Sequence, residues 1–136
     1  MPTIANAAYF GTAGSLTVNG DDYTAAVTSC ALVPTAPTAA VTDIGGGVTQ
    51  FAGANTWVAQ VGYNQDWKTP ASLSQKLIEW HGQTKTFTYT PDDGGQVASF
   101  TARVLAGQFG GAASAIHQAT VNLPINGQPT FAPAGA

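Results

Sequence analysis

Between Trp57 and Gly95 the chain changes its period twice, and few architectures accommodate that pattern. Thr56 to Tyr63 alternates, with Trp57, Ala59, Val61 and Tyr63 on one face, as a half-buried strand does. Ala71 to His81 instead places Leu73, Leu77 and Trp80 at i, i+4 and i+7, one stripe of a helix facing a core. Two helix starts are open. Thr69 serves as N-cap with Pro70 at the first helical position, or Ser72 and Gln75 form a capping box one turn later. Gly82 suits the end of the helix. Period two then returns, as Thr84, Thr86, Thr88 and Thr90 alternate with Lys85, Phe87 and Tyr89. The turn Pro91 to Gly95 leads into a strand from Gln96 to Leu105, which predicts an antiparallel hairpin.

The flanking segments extend the β pattern. Met1 to Gly14 reads as an irregular arm, without the basic region and apolar core of a signal peptide. Ser15 to Asn19 is a short strand and Gly20-Asp21-Asp22 a turn. Tyr23 to Val33 is a strand apolar on both faces, with Tyr23, Ala25, Val27, Ala31 and Val33 on one and Ala26, Cys30 and Leu32 on the other. Residues 34–47 hold Pro34, Pro37 and a triple glycine, which predicts an extended loop or loose hairpin. Val48 to Phe51 either closes that loop or opens a strand. Gly107 to Gly111 breaks the chain, Ser114 to Ile125 is the last strand, and 126–136 is a Pro-containing tail. The expected fold is a single domain over 1–136, mainly β. It is a β-sandwich or small barrel of about seven strands with one flanking helix over about 71–81.

Composition narrows the function. Only 11 of 136 residues are charged and the net charge is −3, which opposes a nucleic-acid reader with its basic stripe. Leu, Ile, Val and Phe total 27 residues, whereas Ala, Gly and Thr total 58, so the core is thin for the chain length. Strand edges without charge are poorly protected against pairing. Coverage of this surface by further copies of the chain is the simplest resolution. No run approaches 18 apolar residues, so no membrane insertion is expected. The single Cys30 reads as a small core side chain.

The residues offer no constellation for catalysis, cofactor or metal. His81 and His117 lack ligand spacing, and His81 suits a helix C-terminus by charge alone. Asp92-Asp93 are ordinary turn formers. Gly45-Gly46-Gly47 has no following lysine and is no phosphate loop. Trp57, Trp67 and Trp80 read as core more readily than as a sugar platform. No enzyme is expected.

Gly53-Ala54-Asn55-Thr56-Trp57, Gln65-Asp66-Trp67, Ser72 to Leu77, Gly82, Thr86 to Asp92 and Ala119 to Phe131 together resemble the major tail tube proteins of long-tailed bacteriophages. The resemblance implies a sandwich-like subunit with a flanking helix. It implies six copies closing a ring whose inner wall is a continuous β-barrel, and rings stacked by a long loop. It places the protein in a virion tail assembled in the host cytoplasm. Its implied partners are itself, the tail tip, tape-measure and terminator proteins, and genomic DNA passing without specific binding. The loop residues Pro34, Pro37, Val41, Ile44 and Gly46 are assigned to ring stacking, and Asp21, Asp22 and Asp43 to the bore. Six copies at −3 each give −18 per ring, and an acidic wall repels phosphate. The alternatives are a stand-alone β-sandwich binding carbohydrate or a host surface, and a capsid decoration protein.

Overall fold

The computed structural model describes residues 2–6, 8, 11, 14–92 and 95–133. The other positions of the expected arm (1, 7, 9, 10, 12, 13), Asp93 and Gly94 of the expected turn, and 134–136 of the tail lie outside the described residues. The chain is mainly β. In order, the elements are β1 (Ser15–Val18), β2 (Asp21–Asp22), β3 (Val27–Thr35), β4 (Thr38–Thr42), β5 (Val48–Ala52) and β6 (Thr56–Asn64). There follow α1 (Leu73–Glu79), β7 (Thr84–Thr90), β8 (Val97–Arg103), β9 (Gln118–Pro124) and β10 (Thr130–Ala132). They form a five-stranded sheet β10-β8-β7-β1-β2, a three-stranded sheet β3-β6-β9 and the separate hairpin β4-β5. All pairings are antiparallel.

The two larger sheets face each other across one core, and among the described residues no barrel closes. Leu16, Val18, Phe87, Phe100 and Ala102 come from the first sheet, and Ala59, Val61, Tyr63, Ala119, Val121 and Leu123 from the second. Alternation places them there, as in β9, where every second residue is buried. Phe87 and Phe100 oppose each other in register and stack at 5.4 Å. A bridge between Ala102 and Ile125 ties the sheets at one edge. No helix among the described residues is long and apolar enough to cross a membrane.

Helix α1 closes one end of this core. It spans Leu73–Glu79 rather than 71–81, because the later cap prevails: Ser72 Oγ accepts from Gln75 N at 3.4 Å. The same hydroxyl donates to Asp66 O at 2.6 Å, which competes with a start at Thr69. Leu73 and Leu77 are buried, each contributing about 1.5–3 kcal/mol, and Trp80 packs part-buried against the core. Gly82 takes a φ of +83° just past the helix end, a conformation open to glycine.

Three boundaries differ from the expectation for physical reasons. Residues 23–26 form a turn instead of opening the strand, because Asp22 Oδ1 accepts the Thr24 N–H at 2.9 Å and its hydroxyl as well. Strand β3 then carries an irregularity between Val27 and Ser29. The extra residue shifts parity, so Val27 packs against the core with Cys30 and Leu32, while Ala31 and Val33 stay outside. The last strand starts at Gln118 rather than Ser114, which sits at a φ of +61°. Part of the expected tail is strand β10, paired with β8 from Thr130↔Ser99 to Ala132↔Val97, where Phe131 meets Trp57 at 5.8 Å.

Candidate assembly surfaces

Among the described residues no further strand pairs with the edges of the three-stranded sheet at β3 and β9, where the single Ala102↔Ile125 bridge lies just past the end of β9. Neither strand carries a charged residue, so neither has the lysine or acid that usually blocks pairing at an edge. The outward face of this sheet is also uncharged. Cross-strand rows run Val33–Val58–Pro124, Ala31–Gln60–Asn122 and Ser29–Gly62–Thr120, followed by Asn64–Gln118. The last pair is joined by Gln118 Nε2 donating to Asn64 Oδ1 at 2.9 Å. The face is therefore aliphatic at its Val33–Val58–Pro124 end and small, hydroxyl or amide over the remaining rows.

Beyond the Thr35–Thr56 end of that sheet the chain continues as the hairpin β4-β5, in register from Thr38↔Ala52 to Thr42↔Val48. Five residues per strand reach about 16 Å, and all of them are exposed. Of the residues assigned to stacking, Pro34 lies on β3 opposite Trp57. Pro37 O accepts from Gly53 N at 2.7 Å where the two ribbons join. Val41 lies on β4, sharing a face with Phe51, and Ile44 and Gly46 form the tip. Gly46 has a φ of +89°. Asp43 folds this tip, its Oδ1 accepting from Gly45 N and Gly47 N at 2.9 Å each.

The three acids assigned to the bore are not brought together. Asp43 is at the hairpin tip, whereas Asp21 and Asp22 form β2 at the edge of the other sheet. Thr24 holds the Asp22 carboxyl below the usual carboxylate range, chiefly through its hydroxyl and then through its N–H. The tryptophans are dispersed as well: Trp57 meets Phe131, Trp67 meets Phe109, and Trp80 meets Tyr23. No common aromatic platform results. Cys30 is part-buried and its thiol is pushed up to about 12 by desolvation. Among the described residues no group of three His, Cys, Asp or Glu is placed to hold a metal ion.

Sequence reasoning missed how firmly the connection between Arg103 and Gln118 is held. Gln65 is its clamp. Its Nε2 donates to Gly110 O and Gln118 O at 3.1 Å each, and its Oε1 accepts from Gly110 N at 2.8 Å and from Trp67 Nε1 at 2.9 Å. Every donor and acceptor site of the amide is thereby used. His81 Nδ1 accepts from Ala106 N at 2.9 Å, and His117 Nε2 contacts Ala112 O at 3.2 Å. The only sequence signal for this clamp is a glutamine beside a Gly-rich segment 45 residues away, which no local pattern reveals.

The surface as a whole is large for the chain. The accessible area is 8825 Å², whereas a compact monomer of 13.8 kDa exposes about 6,600 Å². The excess, roughly 2,200 Å², is comparable to what a stable protein interface covers.

No protein-family model and no curated protein sequence matches the chain. Solved structures do match. A chain in the tail of an empty gene transfer agent (GTA) particle, refined helically with C6 symmetry, superposes with a TM-score of 0.69 at 17% identity, covering 92% of this chain and 99% of that one. A chain in the virion of the native GTA particle gives a TM-score of 0.69 at 13% identity, with the same coverage. Over nearly its whole length, then, the chain has the fold of a component of a GTA particle tail, consistent with the resemblance to phage tail tube proteins carried by residues 53–131.

Proposed function

We propose that this chain is the repeating subunit of a phage-like tail tube. Six copies close a ring, rings stack into a tube, and the tube conducts DNA during ejection. The observation that carries this reading is the fold likeness to a chain of a C6-symmetric GTA tail, which covers both chains almost completely. Two physical features support it. The uncharged edges β3 and β9 leave backbone donors and acceptors that a neighbouring copy satisfies by continuing the sheet. The excess surface wants burial. The role is structural rather than catalytic, in the tail of a virion, with the tail tip, tape-measure and terminator proteins as further partners and assembly in the host cytoplasm.

In this reading the outward face of β3-β6-β9 lines the bore. It holds no cation, so passing DNA exchanges no counterions with it and does not adhere. Asp21, Asp22 and Asp43 lie off that face, and lubrication rests on hydrated amides and hydroxyls instead of repulsion. Negative-stain microscopy of the concentrated full chain, with mass from light scattering, tests the proposal. Six-fold rings or tubes are expected, and a protein that remains monomeric at every concentration, even beside its tail partners, refutes it.

A further inference from the structure

We infer that the connection 104–117 of one copy receives the β4-β5 hairpin of the next, so that rings stack head to tail through Phe109 and Ile116. The inference rests on the tube reading above and specifies the surface that the hairpin meets. It begins from the placement of exposed apolar residues. Val41, Ile44, Val48 and Phe51 are exposed on the hairpin, and Phe109 (73%) and Ile116 (80%) on the connection. These two groups lie at opposite ends of the same sheet. The hairpin leaves β6 at Thr56, whereas the connection enters β9 at Gln118, which pairs with Asn64 at the far end of β6. The separation along β6 is about 26 Å.

Two unlike apolar patches at opposite ends of a molecule make a heterologous contact, and repetition of such a contact gives an open polymer instead of a closed dimer. The receiving patch is also preorganised. The Phe109 ring rests on Trp67 at 4.4 Å, and Gln65 holds both the N–H and the carbonyl of the adjacent Gly110. A fourteen-residue connection without regular structure that is held this rigidly loses little entropy when it docks. The excess of roughly 2,200 Å² over a compact monomer is area enough for such a contact besides the lateral ones.

The test compares tube growth of the full chain and of Phe109→Ser by microscopy and light scattering, with thermal melts confirming that the variant folds. Phe109→Ser is expected to keep rings but to need at least ten-fold more protein for tubes, and Phe109→Leu to restore growth. Gln65→Ala, which frees the connection without removing an apolar side chain, is expected to weaken stacking in the same direction. A second measurement does not depend on growth. In a Cys30→Ser background, Ile44→Cys and Phe109→Cys chains are mixed and oxidised, and the mixed 44–109 disulfide is expected to dominate over either homodimer. Equal tube growth by wild type and Phe109→Ser, or 109–109 disulfides as the main product, overturns this inference and leaves the tube reading standing. A wild-type chain that gives neither rings nor tubes removes both.

Discussion

Gly107 approaches Tyr63 so closely that a single methyl group should unsettle the end of the sandwich. A Cβ at Gly107 would stand 1.7 Å from Tyr63 Oη and 3.0 Å from Cζ. The glycine has no positive φ, so Gly107→Ala strains no backbone angle and by itself restricts the unfolded chain, a gain of about 0.4–1 kcal/mol. Against that stands overpacking, about 1–3 kcal/mol. Tyr63 has little room to yield. It is 1% exposed and sits in a strand paired on both sides, with Val27 and Ala119 as its neighbours in register. The connection has to move instead, which loosens the nearby Gly110–Gln65 bonds at about 0.5–1.5 kcal/mol each. The expected net loss is about 1–3 kcal/mol, which lowers Tm by roughly 3–10 °C.

The cause can be isolated. Tyr63 Oη is buried with no hydrogen-bond partner among the described residues, so Tyr63→Phe removes an unsatisfied group and is expected to be neutral or stabilising by about 1 kcal/mol. It also removes the atom at 1.7 Å, leaving Cζ at 3.0 Å, a distance that a shift of a few tenths of an ångström relieves. The double variant is therefore expected to recover at least about 1 kcal/mol as a coupling energy. Urea unfolding of the dilute subunit, followed by tryptophan fluorescence at constant m, measures all four corners of the cycle. A neutral Gly107→Ala, or a Tyr63→Phe that costs 2 kcal/mol or so and rescues nothing, refutes the reasoning.

Three further outcomes are expected. Ser72→Ala removes both the helix cap and the hydroxyl bond to Asp66 O. It should cost about 0.5–2 kcal/mol in chemical unfolding, whereas Thr69→Ala should cost less, and the reverse order would restore the earlier helix start. With the Cys30 thiol pushed up to about 12 in the fold from an ordinary value of 9.0, the native state keeps its proton between these values while the unfolded chain releases it. Stability from this group is thus full below pH 9 and declines towards pH 12, and native alkylation at pH 8 should be about a thousand-fold slower than in urea. Equal rates would place the thiol in water. Asn122→Lys puts a cation on the outward sheet face; its tubes should retain DNA at low salt and release it as salt rises, and tubes indifferent to DNA would remove that face from the bore.

Local chemistry made much of the fold legible. The period-two runs became β6, β7, β8 and β9, and the stripe of Leu73 and Leu77 became α1, because burial of one face imposes its period on the residues beneath it. The scarcity of charge was legible too, and it falls on β3, β6 and β9. Other features depended on contacts that no short window contains. The irregularity beside Val27 moved that residue to the face of Cys30 and Leu32, since one added residue inverts a period of two. Strand β10 has three residues and exists through its pairing with β8 about thirty positions earlier. The acids at 21, 22 and 43 resemble one another in sequence, yet Asp21 and Asp22 form β2 while Asp43 sits at the hairpin tip. The Gln65 clamp spans 45 and 53 residues, and only the closed sandwich brings its partners within hydrogen-bond reach. Periodicity and charge are properties of neighbours along the chain, whereas register, edge pairing and a satisfied amide are properties of neighbours across it, and these tertiary structure alone decides.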